Sequence, residues 1–313
     1  MVSLKERYQG CLLGLAVGDA IGTTLEFKPP GSFTPIDDML GGGPFYLQPG
    51  QWTDDTSMAI CLAESLIECN GFDARDQMQR YYRWWKEGRH SSTGRCFDIG
   101  ATVANALHLF ESSGEPFSGD THPMSAGNGS LMRLAPMVLY YSEHPDLIGY
   151  VSDSSRTTHG APECLDACCY FAAIIARCLR GANKNILMSS AGYLPQSKKV
   201  RLIATEEFLQ KPVTEISGSG YVIDCLEAAL WCFFHSDNFD DAVLMAANLG
   251  DDADTTAAVC GQIAGAYYGI NGIRASWLER LHQKPLLLSL ADQLYRQTTE
   301  AKLGSKAGEA MVS

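Results

Sequence analysis

An all-α fold is what this sequence predicts, and three observations predict it. Apolar residues recur three and four apart in one segment after another, the spacing of a helix face. No stretch alternates apolar and polar residues in the manner of a half-buried strand. No linker, composition shift or fixed-period repeat divides the 313 residues. About ten to fourteen helices, judged from ordinary helix and loop lengths, are therefore expected in one compact domain over residues 1–302, with a polar, disordered tail at 303–313.

The first helix spans Leu4 to Ala20, with Leu4, Tyr8, Cys11, Leu12, Leu15 and Ala16 at helical spacing. Its small residues Gly14, Ala16 and Gly18 would permit close packing against a neighbouring helix, and Gly22 is expected to end it. Asp19 and Glu26 flank that break. Pro29-Pro30-Gly31, Gly41-Gly42-Gly43-Pro44 and Pro49-Gly50 then mark a long irregular loop, a feature often functional in a compact domain. Helices follow at Asp54–Glu68, Asp73–Glu87 and Ile99–Phe110, the last two separated by a polar loop from Gly88 to Arg95. Gly127-Asn128-Gly129-Ser130 introduces a further helical run through Leu131, Leu134, Met137, Val138 and Tyr141, and a helix start of this kind can bind a phosphate. Leu147–Ser155 and Pro162–Arg180 come next, the second with proline in its first turn and Gly181 just past its end. A weaker helix is expected at Lys199–Leu209, and a strong one after Gly218-Ser219-Gly220-Tyr221. Phe239–Ala247, Asp254–Tyr268, Trp277–Leu281 and Leu286–Tyr295 complete the set.

Composition narrows what such a domain does. With 46% hydrophobic and 19% charged residues the chain can bury a core without staples. A net charge of −12 argues against nucleic-acid and anionic-membrane partners, which are held through Lys and Arg, and leaves a cationic substrate open. The eleven cysteines form no C-x-x-C pair and lie mostly in apolar helical stretches, as buried reduced thiols of a cytoplasmic protein do. The N-terminal segment fits neither a signal peptide nor a membrane span.

One stretch resists a purely structural reading. Gly250-Asp251-Asp252-Ala253-Asp254-Thr255-Thr256 sets three carboxylates and two hydroxyls directly ahead of an apolar helix. Trp52-Thr53-Asp54-Asp55-Thr56 repeats the pattern earlier in the chain. Each group alone is explained by helix capping and the helix dipole. Together they could converge as an oxygen-only shell for a hard cation such as magnesium, with Asp252 and Asp254 pointing to one place and Thr53 to Asp55 supplying the opposite half. No Cys/His arrangement competes for zinc.

Seven segments resemble, in order and spacing, the ADP-ribosylglycohydrolase family, nearest to its bacterial dinitrogenase reductase-activating branch. They are residues 15–22 (LAVGDAIG), 49–56 (PGQWTDDT), 97–100 (FDIG), 126–129 (AGNG), 158–159 (TH), 219–224 (SGYVID) and 250–255 (GDDADT), and the match extends over about residues 5–282. The resemblance implies a compact multi-helix orthogonal bundle with a central metal cleft, in which two Mg²⁺ or Mn²⁺ ions are held by Thr53, Asp54, Asp55, Asp252, Asp254 and Thr255. It implies Asp98 as the acid/base residue and Glu26 as a movable carboxylate beside the metals. Gly127, Asn128, Gly129, Ser219, Gly220 and Tyr221 would hold the phosphates and nucleoside, and His159 would line the cleft.

Plain alternatives stand beside these roles. Asp98 could cap the helix after it, Glu26 could be a solvated loop acid, His159 a satisfied structural histidine, Tyr221 a core residue, and Gly127 and Gly129 turn residues only. Trp84, Trp85 and Trp231 read as packing residues. Two positions depart from the branch, which carries glycine where this chain has Asp251 and asparagine where it has Ala101. The activity implied is release of ADP-ribose from an ADP-ribosylated protein, most readily from arginine, by a monomer that binds neither nucleic acid nor membrane. An O-linked bond, to serine or an acetyl ester, is the alternative on the same fold. A non-catalytic ADP-ribose-binding or structural relative is another, which loss of metal ligands would mark.

Overall fold

The computed structural model describes residues 1–189 and 192–310, with side chains to residue 300. It is all-helical, and the α-helices among the described residues are α1 (Leu4–Gly22), α2 (Asp54–Glu68), α3 (Ala74–Glu87), α4 (Ala101–Ser113), α5 (Ala135–Tyr141), α6 (Leu147–Arg156), α7 (Pro162–Leu179), α8 (Lys198–Ala204), α9 (Val222–Phe234), α10 (Phe239–Ala247), α11 (Ala253–Tyr268), α12 (Ala275–Arg280) and α13 (Lys284–Ala310). Strand pairing among them is limited to isolated bridges, such as Gly127 with Tyr221. The last three residues of the expected tail, 311–313, lie outside the described residues, as do the side chains of 301–310.

Two helices form the axis. α1 and α11 are buried along nearly their whole lengths, so neither shows the polar face of a surface helix. They run antiparallel with small residues every fourth position. A Cβ placed at Gly10 would stand 2.3 Å from the Gly265 carbonyl oxygen, at Gly14 2.3 Å from that of Gly261, at Gly18 2.1 Å from that of Ala257, and at Gly22 2.3 Å from that of Ala253. The backbones therefore touch, with no side chain between them. Gly22 serves this contact and lies within α1, which corrects the expectation that it breaks the helix.

α1 starts at a capping box, in which the Ser3 hydroxyl accepts from the Glu6 amide and the Glu6 carboxylate accepts from the Ser3 amide. α3 is tied to α2 by Arg80, whose guanidinium reaches Glu64, Glu68 and Asp76 at 3.0, 2.6 and 2.6 Å. Nine of the eleven cysteines sit in the core. No helix among the described residues is long and apolar enough to cross a membrane.

Some boundaries move. The helical run expected from Leu131 begins only at Ala135, where Pro136 supplies the first turn. The preceding residues form tight turns, with the Leu131 and Met132 amides both donating to the Asn128 carbonyl at 2.8 and 3.1 Å. The segment expected as one weak helix from Lys199 to Leu209 is split. α8 stops at Ala204, and Glu206 adopts φ 65° before a short 3-10 turn.

If backbone contact is the reason for the glycines, Gly14→Ala lowers stability by roughly 1–3 kcal/mol, the usual effect of overpacking a close-packed interior. Urea unfolding monitored by circular dichroism measures this, and an unchanged midpoint would show that α1 and α11 tolerate separation.

Candidate metal centre and cleft

Asp19 is the innermost acid. It is fully buried near the end of α1 and accepts four hydrogen bonds, from the Thr53 amide (2.8 Å) and hydroxyl (3.0 Å) and from the Thr56 amide (3.0 Å) and hydroxyl (2.6 Å). This clamp fixes the first turn of α2. Because Asp19 supplies the acceptors that a cap would otherwise provide, Thr53 makes no side-chain cap although it occupies the N-cap position. The Thr53 hydroxyl instead faces three carboxylate oxygens, Asp19 Oδ1 at 3.0 Å, Asp254 Oδ2 at 3.1 Å and Asp55 Oδ2 at 3.3 Å. It has one proton to give. The other oxygens face one another as lone pairs.

Asp252 likewise occupies the N-cap position of α11 without capping it. Its amide donates to the Gly218 carbonyl at 2.9 Å and its Oδ2 accepts from Asn128 Nδ2 at 2.7 Å. Thus capping, the ordinary explanation for both acid groups, does not account for them.

Two trios of carboxylates gather here, with one oxygen of each member within 4.8 Å of the others. One is Asp54, Asp55 and Asp254, the other Glu26, Asp98 and Asp254. Asp254, in the first turn of α11, belongs to both. Thr255 joins the first trio through its hydroxyl, 3.4 Å from Asp55 Oδ2. Asp55 Oδ1 and Asp254 Oδ1 are buried without any hydrogen-bond partner. Unsatisfied buried carboxylate oxygens are rare, because leaving one unpaired costs several kcal/mol.

Electrostatics point the same way. Burial, followed by repulsion from neighbouring acids, pushes the carboxyls of Asp54, Asp55 and Asp254 well above the usual range. Burial also raises Asp19 and Asp252, against the hydrogen bonds that each accepts. Burial raises both Glu26 and Asp98; Asp98 raises Glu26 further, whereas Glu26 lowers Asp98 and the charges of Asp252 and Asp19 raise it. A group of acids that is buried, oxygen-only and partly unsatisfied fits a hard divalent cation.

Asp98 itself has φ 59° and stands two residues before Gly100, the N-cap of α4, so it does not cap that helix. Glu26 is 3% exposed and therefore no solvated loop acid. Both face a cavity of about 420 Å³, the size of a small-ligand site. Asp54, Asp252, Asp254 and Thr255 lie on its wall, with Thr53 and Asp55 directly behind. Gly127, Asn128, Gly129, His159 and Gly220 also line it.

There the glycines make room for His159. Neither Gly127 nor Gly129 has positive φ, and a Cβ on Gly129 would approach His159 Cε1 to 2.8 Å. His159 is held neutral, its pKa pushed down to about 3 by burial and by the Arg133 guanidinium. Arg133 is buried beneath the glycine turn and donates to the Gly129 carbonyl (2.9 Å) and the Thr158 hydroxyl (2.8 Å), which in turn lies 2.9 Å from His159 Nδ1. The Gly127 and Asn128 amides are already used by the carbonyls of Ser125 (2.9 Å) and Gly220 (3.1 Å).

Two expected contact residues turn elsewhere. The Ser219 hydroxyl donates to Asp224 Oδ2 at 2.7 Å. The Tyr221 hydroxyl bonds Glu163 and accepts from Lys199 Nζ at 2.6 Å, so only the Gly220 backbone of that segment reaches the cavity. Asp19 and Arg133 are functional candidates that the motifs do not single out. Their signal in the sequence is a lone charge inside an otherwise small or apolar helical run.

Comparison with known proteins gives the family and the fold. The profile described as ADP-ribosylglycohydrolase matches residues 1–303. The chain is 46% identical over 296 residues to ADP-ribosylarginine hydrolase Tri1 of Serratia proteamaculans, covering 94% of this chain and 80% of that one. It is 33% identical over 291 residues to the ADP-ribosyl-(dinitrogen reductase) glycohydrolase of Rhodospirillum rubrum, covering 90% and 92%. The solved structure of an "ADP-ribosylglycohydrolase-related protein complex" superposes with TM-score 0.85 at 43% identity, covering 95% of this chain and all of that one.

The raised carboxyls set a pH dependence of stability. A carboxyl whose folded pKa lies above its unfolded value favours folding below the unfolded pKa, near 4, and that contribution is lost as pH rises through the folded value. In chelator, then, stability falls as pH rises from 5 to 8. Asp54→Asn removes one of these charges and raises stability at pH 8 by roughly 1–2 kcal/mol. Denaturant midpoints across that range check it; an Asp54→Asn variant less stable than the parent in chelator would contradict the repulsion.

Proposed function

The chain belongs to the ADP-ribosylglycohydrolase family, and from that membership we propose that it hydrolyses the bond between C1 of ADP-ribose and the guanidinium nitrogen of a modified arginine in a protein substrate, with a divalent-metal requirement. The observation that carries the metal requirement is the shared carboxylate, Asp254, common to two acid trios, one of them fully buried, with Asp55 Oδ1 and Asp254 Oδ1 unsatisfied. The arginine linkage rests on the names of the relatives at 43–46% identity, both called ADP-ribosylarginine hydrolase.

Thr53, Asp54, Asp55, Asp252, Asp254 and Thr255 are the residues that would hold Mg²⁺ or Mn²⁺, and the bound ions would supply Lewis acidity toward the ribose hydroxyls and a water. Around them, Asn128 holds Asp252 in orientation and Asp19 holds the first turn of α2. Asp98 and Glu26, together at the cavity wall, are the acid/base pair. A carboxyl raised toward neutrality by burial can both release and regain a proton near physiological pH, which is the condition for efficient general acid/base work. In the balanced reaction the C1–N bond breaks and the water oxygen bonds C1. One water proton stays on the new hydroxyl, and the other, moved by way of Asp98, goes to the departing nitrogen. The glycine turn at Gly127–Gly129, with Arg133 beneath it and neutral His159 alongside, offers an electrically favourable seat for the pyrophosphate.

Release of ADP-ribose from arginine-ADP-ribosylated protein tests this. Turnover should vanish in EDTA and return with Mg²⁺ or Mn²⁺. Asp98→Asn should lose about 10²–10⁴ in kcat while binding ADP-ribose as the parent does. Activity that persists in chelator, or a fully active Asp98→Asn enzyme, overturns the mechanism. Cleavage of a serine-linked substrate in preference to the arginine-linked one overturns the linkage.

A further inference from the structure

At the mouth of the cleft two residues are held in conformations that side chains rarely adopt. Phe27 has φ 60° and Asp251 φ 59°. They are locked to each other through the backbone. The Phe27 amide donates to the Asp251 carbonyl at 2.7 Å, and the Asp251 amide donates to the Lys28 carbonyl at 2.8 Å. The paired loops thus carry Phe27 and Asp251 together on the cavity wall, beside Glu26 on one strand of the pair and Asp252 on the other.

Both side chains are left open. Phe27 is 65% exposed, an unusual state for a phenylalanine at the edge of a polar cavity. Its ring extends an aromatic row, with Phe45 at 6.4 Å and Phe97 a further 5.0 Å from Phe45. Asp251 is exposed, and no Lys, Arg or His forms an ion pair with it among the described residues. It also belongs to neither carboxylate trio.

An aromatic face beside a free carboxylate is what a guanidinium group seeks, since the cation stacks on the ring and its N–H groups pair with the oxygens. We propose that Phe27 and Asp251 determine specificity by seating the guanidinium of the target arginine at the cleft mouth. The inference rests on the arginine-linked reading above and gives that reading its recognition element. Asp251 acts on substrate rather than on metal, because its side chain is exposed while the oxygens of Asp55 and Asp254 are buried.

Two substitutions test this. Asp251→Asn keeps the left-handed turn, which asparagine tolerates, and Phe27→Leu keeps an apolar side chain without the π face. At saturating Mn²⁺, each should raise KM for arginine-ADP-ribosylated protein by about threefold to tenfold, the scale of an exposed ion pair or cation–π contact, with kcat changed by less than about twofold on the same scale. ADP-ribose and Mn²⁺ affinities, measured by calorimetry, should stay unchanged. An unaltered KM in both variants overturns the inference and leaves the arginine reading standing. A rise in KM matched by an equal loss of ADP-ribose or Mn²⁺ affinity also overturns it, because Asp251 would then serve the inner site. If the parent enzyme shows no turnover of the arginine-linked substrate, both readings fail together.

Discussion

Direct backbone contact between α1 and α11 is the constraint from which the site follows. Glycine or alanine at every fourth position lets the two helices approach until carbonyl oxygens stand where side chains would normally be. Only at this separation does the end of α1 meet the start of α11. Asp19 is then placed to grip the first turn of α2, and the Thr53 hydroxyl of that turn lies 3.1 Å from Asp254. One packing contact therefore brings into register three chain segments that are far apart in sequence.

What the contact assembles is unfavourable by itself. Seven carboxylates (Asp19, Glu26, Asp54, Asp55, Asp98, Asp252 and Asp254) lie in or beside one small cavity, and each is raised by burial. The folded chain holds this repulsion in its buried interior, where α1, α2 and α11 cannot move apart without losing core. Such preorganisation is what a metal-assisted hydrolase requires: oxygens fixed before the ion arrives, and no reorganisation during the reaction. On the proposed mechanism, the same burial that crowds these acids raises Asp98 to about 7, so that it can exchange a proton near neutral pH.

Much of this was legible in the sequence, for physical reasons that differ by element. Helical periodicity located most helices because apolar residues recur three and four apart along them, and the two clusters at Thr53–Asp55 and Asp252–Thr255 stood out because adjacent acids repel. Capping remained a competing reading of both clusters until three-dimensional partners were known, since the choice depends on where Asp19 lies. Asp19 was seen near a helix end and within one of the seven resembling segments, with no role of its own; its importance comes from hydrogen bonds spanning 34 and 37 positions, which no local pattern reveals. Gly22 resembled a helix stop because glycine is used both for left-handed caps and for close contact, and sequence does not separate the two. Tyr221 looked like a ligand-facing residue by its motif, yet Glu163 and Lys199 draw its hydroxyl away from the cavity.

The most direct test of a shared-carboxylate centre is anomalous diffraction from crystals grown with Mn²⁺, recorded at the manganese edge. Two peaks within coordinating distance of Asp254, lying among Asp54, Asp55, Asp252 and Thr255, are the expected result. The absence of any peak at saturating Mn²⁺, or a single ion that does not touch Asp254, would contradict it.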